Sequence, residues 1–179
     1  GSTIDSAGTI LLGSANRISD SSDLILCGGS FSTGATTGFS ETMDSLSITS
    51  NATINLGSGD HTLSFSNVNT WSVGRTLTIT GWTGVGGSSG TGGKIFVGHT
   101  LGTVSPTQLS LISFTGYVGN AQQLSTGELV PVPVPVITSA STASSTYGSA
   151  STYTTTNTNT ATTYTATGLP TGMTLNTST

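Results

Sequence analysis

Charge is what this sequence has least of. Its 179 residues include three Lys and Arg and seven Asp and Glu, so 6% of the chain is charged, against roughly 25% in an average soluble domain. Helical bundles and coiled coils line their wet surfaces with Glu, Lys and Arg, so those folds are excluded. A net charge of −4 gives no electrostatic hold on phosphates, which excludes a nucleic-acid binder. Cys27 is the single cysteine, so no disulfide can form within the chain. No apolar run approaches the ~18 residues that a membrane span needs. No signal peptide opens the sequence, which is therefore expected to be a mature or excised segment.

What is abundant is hydroxyl and glycine. There are 37 Thr, 29 Ser and 25 Gly, about half of the chain. Disordered chains are poor in apolar residues and rich in charge, whereas this one has a mean hydropathy of +0.13. Thr, Ser, Val and Ile punctuated by Gly predict many short strands. A surface kept soluble by hydroxyls suits an extracellular protein.

From residue 1 to about 130 an apolar–x–apolar unit recurs: Leu46-Ser47-Ile48, Ile54-Asn55-Leu56, Leu63-Ser64-Phe65, Leu77-Thr78-Ile79 and Ile95-Phe96-Val97. This is the period-2 pattern of strands with one buried face. Two architectures fit: a β-solenoid of ~20-residue coils, or an antiparallel sandwich with Gly57-Ser58-Gly59-Asp60 as a hairpin turn. Uneven spacing after Ser64 favours the solenoid. The stretch 84–93 (GVGGSSGTGG) is expected to be a flexible loop. Ser105-Pro106-Thr107-Gln108 predicts a helix start, with Ser as N-cap, Pro in the first turn and Gln at N3. Residues 131–136 alternate Pro and Val and predict a semi-rigid spacer. Residues 137–179 are rich in Thr, Ser, Tyr and Asn, and 153–164 (YTTTNTNTATTY) has strong β character.

Residues 8–18 (GTILLGSANRI), 24–34 (LILCGGSFSTG), 38–46 (GFSETMDSL) and 54–59 (INLGSG) resemble the autotransporter-associated β-strand repeat family over about residues 8–66. Residues 67–131 resemble the C-terminal rungs that follow such repeats. The insertion Ala35-Thr36-Thr37 departs from the family pattern. The resemblance implies a right-handed parallel β-helix in a passenger segment of a bacterial surface or secreted protein. The tail, from 135–140 (PVITSA) through 164–176 (YTATGLPTGMTLN), resembles the Ig-type β-sandwich repeats of bacterial surface proteins. It stops where that family continues, so about half a module is expected. The expected organisation is an all-β chain: a solenoid over 1–130, a spacer over 131–136, and a partial Ig-like module over 137–179. Half a sandwich leaves open edges, so completion by further chain or by strand exchange through Tyr153, Thr155 and Tyr164 is expected.

No residue pattern points to catalysis, a cofactor or a metal. Arg17, Arg75 and Lys94 are the only cations. Asp20 and Asp23 sit in a polar turn, His61 and His99 are 38 positions apart, and no calcium loop occurs. Trp71, Trp82 and Tyr117 are candidate glycan contacts, although large aromatics at a solenoid end more often cap the core. Ser6, Ser45 and Asn51 fall in short glycosylation-type patterns. Cys27 is expected to be a buried small hydrophobe. Thr76, Thr78 and Thr80 form a T-x-T array of the kind that templates ice, but Ser47, Asn55, Ser64 and Phe96 hold the middle positions of other units, so no continued ladder is expected.

Together these features predict a bacterial cell-surface or secreted structural protein: an adhesin, stalk or fibre component without enzymatic chemistry. It would act by display and by self- or surface-association, with glycans as further partners. An extracellular carbohydrate-binding module is the alternative. A β-helix polysaccharide-degrading enzyme or an ice-binding protein ranks below it.

Overall fold

A computed structural model describes residues 2–5, 8–146, 148–159, 161 and 163–175. The described chain divides after Val132.

In the first unit the chain alternates between two sheets. β1 (Ser2–Asp5) is followed by β2 (Thr9–Leu11), β3 (Asp23–Leu26) by β4 (Ser30–Ser32), and β5 (Glu41–Ile48) by β6 (Ala52–Asn55). Next come β7 (Thr62–Trp71) and β8 (Leu77–Thr80), then β9 (Lys94–Val97), the short helix α1 (Pro106–Leu109) and β10 (Ile112–Phe114). One sheet is ordered β1-β3-β5-β7-β9 and the other β2-β4-β6-β8-β10. Every neighbouring pair in both is parallel. This is a parallel β-solenoid, and the sandwich alternative falls. Residues 57–60 form a corner that stacks on the coil beneath: the Ser58 and Gly59 N–H groups donate to the Thr36 and Thr37 carbonyls, both at 2.8 Å.

The coils lengthen along the chain. Ser2 lies beside Asp23 and Leu24 beside Leu46, whereas Thr62 lies beside Lys94 and Leu77 beside Ile112. The extra residues leave the stack as the 84–93 loop and as the segment carrying α1. Constant strand register with variable corners is what a solenoid tolerates, because corners need not stack.

The core is built of columns. Ile10, Phe31, Ile54, Ile79 and Phe114 are successive register partners on the second sheet, and Phe31, Ile54, Ile79 and Phe114 are buried. On the first sheet Met43, Phe65 and Val97 form one column, and Leu26, Ile48 and Trp71 another. β5 bends: its alternating burial changes phase at Ser45–Leu46, where the register with β7 also begins to slip. β3 pairs with the later half of β5, and β9 with the early half of β7. The long strands therefore turn a corner that short apolar triplets in the sequence do not reveal.

Register also corrects the expectation about the hydroxyl ladder. Thr78 does not neighbour Ser47, Ser64 or Phe96, which lie on the other sheet. Its neighbours are Thr53 on one side and Ser113 on the other, and Thr53 stands next to Ser30, itself next to Thr9. Cys27 is a further correction: it is exposed, because it follows inward-pointing Leu26 at the strand end, and its sulfur accepts from Thr49 Oγ1 at 3.1 Å.

The C-terminal end of the stack is closed. α1 forms where expected: Ser105 Oγ caps the Gln108 N–H, and the Gln108 side chain returns to the Ser105 N–H at 2.9 Å. β11 (Ala121–Gln123) and β12 (Leu129–Pro131) pair antiparallel beyond it. The outer edge of β9 is satisfied by this cap. The Val97 N–H donates to the Gly127 carbonyl at 3.0 Å, and the Val97 carbonyl accepts from buried Gln123 Nε2 at 2.6 Å. An edge so paired offers no template for another strand.

The second unit contains the antiparallel pair β13 (Val136–Ile137) and β14 (Asn157–Thr158). None of its described residues is buried, so no sandwich core is present among them. Tyr153, Thr155 and Tyr164 lie outside strands. The spacer is shorter than expected, since Pro131 belongs to β12 and Val136 to β13.

Stability should follow this division. Ile54→Ala, fully buried in the middle of its column, should cost about 2–5 kcal/mol in a urea titration. Deleting residues 133–179 should leave the thermal midpoint of the solenoid within a few degrees, measured by circular dichroism.

Candidate functional site

The candidate glycan aromatics fall in two places with different roles. Trp82 is buried, 4% exposed, beside the last turns of the core. Its ring meets Phe114 edge-on at 5.6 Å and Tyr117 at 5.0 Å, within the favourable range for aromatic pairs. Tyr117 holds the start of the glycine-rich loop: its hydroxyl accepts from the Gly84 N–H at 3.2 Å and donates to the Gly84 carbonyl at 2.9 Å. Glu128, 1% exposed, holds the other end, accepting from the Gly90 N–H at 2.8 Å and the Ser89 hydroxyl at 2.6 Å. Gly90 is required by space, since a Cβ there would lie 2.7 Å from Trp82 Nε1. The expected flexible loop is thus a folded lid, pinned at both ends over Trp82. Composition gives no hint of this, because the pins come from residues 33 to 39 positions away in sequence.

Trp71 is half-buried. It continues the Leu26–Ile48 column, but β9 does not extend over it. A cleft of about 370 Å³ opens there instead, lined by Trp71, Val73, Asn69, Ser105, Thr107 and Gln108 among others. Val73 is 98% exposed. The indole N–H donates to the Arg75 carbonyl at 2.7 Å, which fixes the ring plane. The cleft is open to solvent, with an aromatic wall and a few amide and hydroxyl groups. The fold does not bring Trp71 and Trp82 into one platform: each belongs to its own packing group.

The glycosylation candidates also separate. Ser45 is buried and its hydroxyl donates to Asp23 Oδ1 at 2.5 Å, so it is not available at a surface. Asn51 is exposed, and its Oδ1 accepts from the Thr76 N–H at 3.1 Å. Ser6 lies outside the described residues. In the second unit the Tyr153 hydroxyl meets the Ser139 hydroxyl and the Ala140 carbonyl, and the Tyr164 hydroxyl donates to Asn157 Oδ1. Tyr153 and Thr155 line an open cavity with Ile137 and Met173.

Three buried polar residues, Glu41, His61 and Glu128, have structural roles that the sequence does not show. Glu41 accepts from the Arg17 N–H at 2.7 Å and the Ile18 N–H at 3.3 Å, so it terminates a coil that has no strand at that place. Its position two residues before inward-pointing Met43 is the signal that could have found it. His61 packs between Gly38 and Gly93; a Cβ at either would lie within 2.5 Å of its ring, and Gly38 has φ of +80°. His61 Nδ1 lies 2.9 Å from the Gly59 carbonyl, which can only accept, so Nδ1 carries the hydrogen. Glu128 is the third. Among the described residues, no three of His, Cys, Asp and Glu gather at metal-binding distance, and no helix is long and apolar enough to cross a membrane.

Comparison with protein-family models, with curated proteins and with solved structures gave no match.

Glu128→Ala should cost about 1–3 kcal/mol, the penalty for leaving the buried Gly90 donor unpaired. In a Trp71→Phe background, Trp82 is the sole indole, and Glu128→Ala should shift its emission to the red as the lid loosens. Glu128→Gln keeps an acceptor and should shift it less.

Proposed function

We propose that this chain is a structural segment of a bacterial cell-surface or secreted protein, an adhesin, stalk or fibre component, with no enzymatic role. The observation that carries the proposal is the unbroken parallel stacking from β1 to β10 under a surface rich in hydroxyls and poor in charge. Each coil satisfies its backbone groups through the coils above and below it, which makes a stiff element from a chain with no disulfide. Stiffness without a redox requirement suits display outside the cell. The motif resemblance supports the same assignment: autotransporter-type repeats, wound as a right-handed β-helix, followed by part of an Ig-like module. In this reading the second unit gains its core from further chain or from a second copy, through the exposed Val136, Ile137, Tyr153 and Met173.

A carbohydrate-binding role is the second reading, favoured by the cleft at Trp71. A sugar ring stacked on the indole would present hydroxyls to Gln108, Ser105 and Asn69.

The test of the first reading is topological. Antibody raised to residues 1–132 should label intact producing cells or their culture medium, and external protease should remove the cell-bound signal. Signal released only on lysis would overturn the assignment. For the second reading, Trp71→Ala should abolish retention on any glycan surface that the native chain binds, with an unchanged circular dichroism spectrum.

A further inference from the structure

The second solenoid sheet carries a surface that neither reading uses. Thr9, Ser30, Thr53, Thr78 and Ser113 are consecutive register partners across all five strands, one hydroxyl per coil with no interruption. Each is at least partly exposed. Two residues along, Asn55 and Thr80 form the centre of a second polar row, and Thr115 stands at its end, its N–H bound to the Ile79 carbonyl at 2.9 Å. This second row begins with apolar Leu11 and is recessed at Ser32, which is buried. Strand geometry sets the mesh at about 4.8 Å between coils and about 6.7 Å along each strand. The Thr9 and Ser30 hydroxyls are 2.8 Å apart, so this pair at the first end of the row hydrogen-bonds, while the backbone ladder holds every position of the row in register.

The strands of this face carry no charge. Asp5, Asp23, Glu41, Asp44 and Lys94 all lie on strands of the other sheet, while β2, β4, β6, β8 and β10 contain no charged residue. The outward positions of those five strands also hold no aromatic residue. Those absences select the ligand. Protein partners are gripped by buried Tyr, Trp and Arg anchors, and sugar rings by aromatic faces. Ionic surfaces need opposite charge. A fixed, uncharged mesh of hydroxyls has one obvious complement, an ordered lattice of water held by the same hydrogen bonds. Ammonium and carboxylate groups impose their own hydration and would disrupt such a lattice, so their exclusion is part of the site.

We propose that the hydroxyl face of β2, β4, β6, β8 and β10 is an ice-binding surface. The proposal does not rest on the surface-display reading. The test is ice-recrystallisation inhibition by the purified full chain, with facet formation on single ice crystals as a second readout. The native chain should slow recrystallisation and shape crystals. Thr53→Lys and Thr78→Lys, at the centre of the row, should each raise the inhibitory concentration at least tenfold with unchanged circular dichroism. Thr42→Lys, exposed on the opposite sheet, should not. Native protein indistinguishable from serum albumin at equal mass would overturn the proposal, as would full activity in Thr53→Lys. Binding to microcrystalline cellulose or chitin, or dimerisation, that Thr53→Lys abolishes while ice remains unaffected would assign the face elsewhere and also overturn it.

Discussion

Everything in the first unit depends on parallel, in-register stacking of one coil on the next. A strand in this unit is three to ten residues long, too short to persist alone. Placed between two others, it satisfies its backbone N–H and C=O groups along the stack and sets its inward side chains on a column of like residues. The Ile10–Phe31–Ile54–Ile79–Phe114 column shows why this works with so little sequence specificity: each position needs only an apolar side chain of fitting volume. The same register that aligns the core aligns the exterior, so a Thr or Ser on one coil is brought beside a Thr or Ser on the next.

Stacking alone leaves two problems, the corners and the ends, and buried polar groups solve both. Glu41 collects two backbone donors from a coil that lacks a strand. Gln123 and Gly127 close the edge of β9. Glu128 and Tyr117 pin a loop that would otherwise expose Trp82. Glycine at 38 and 93 supplies the space that His61 occupies, and glycine at 90 the space beside Trp82. The low total charge of the chain therefore conceals a particular use of two of its seven acids: they act inside, as acceptors for backbone donors.

The contrast with residues 133–175 is one of core rather than composition. Both parts are rich in Thr and Ser, and both carry strand-forming sequence. The first unit interleaves its hydroxyls with Leu, Ile and Phe at period 2, and those residues bury. The second has long Thr runs with few apolar partners, so among the described residues only Val136–Ile137 and Asn157–Thr158 pair and no apolar residue is buried. The strong β character of 153–164 was legible, but propensity without an apolar face to bury does not produce a sheet.

The amino-acid order by itself determined the all-β class of the first unit and the capped start of α1. Those features depend on local chemistry: alternation, and Ser with Gln three residues on. Only the tertiary structure decided that 57–60 is a corner and not a hairpin, that Cys27 is exposed, that the glycine-rich loop is pinned, and that Thr78 belongs to a ladder running from Thr9 to Ser113. Each of these is a question of which distant residue lies alongside. Coil length varies through 21 residues between Ser2 and Asp23 and 35 between Leu77 and Ile112, so no fixed period in the sequence could supply the answer. Register could, because a backbone ladder admits one neighbour on each side.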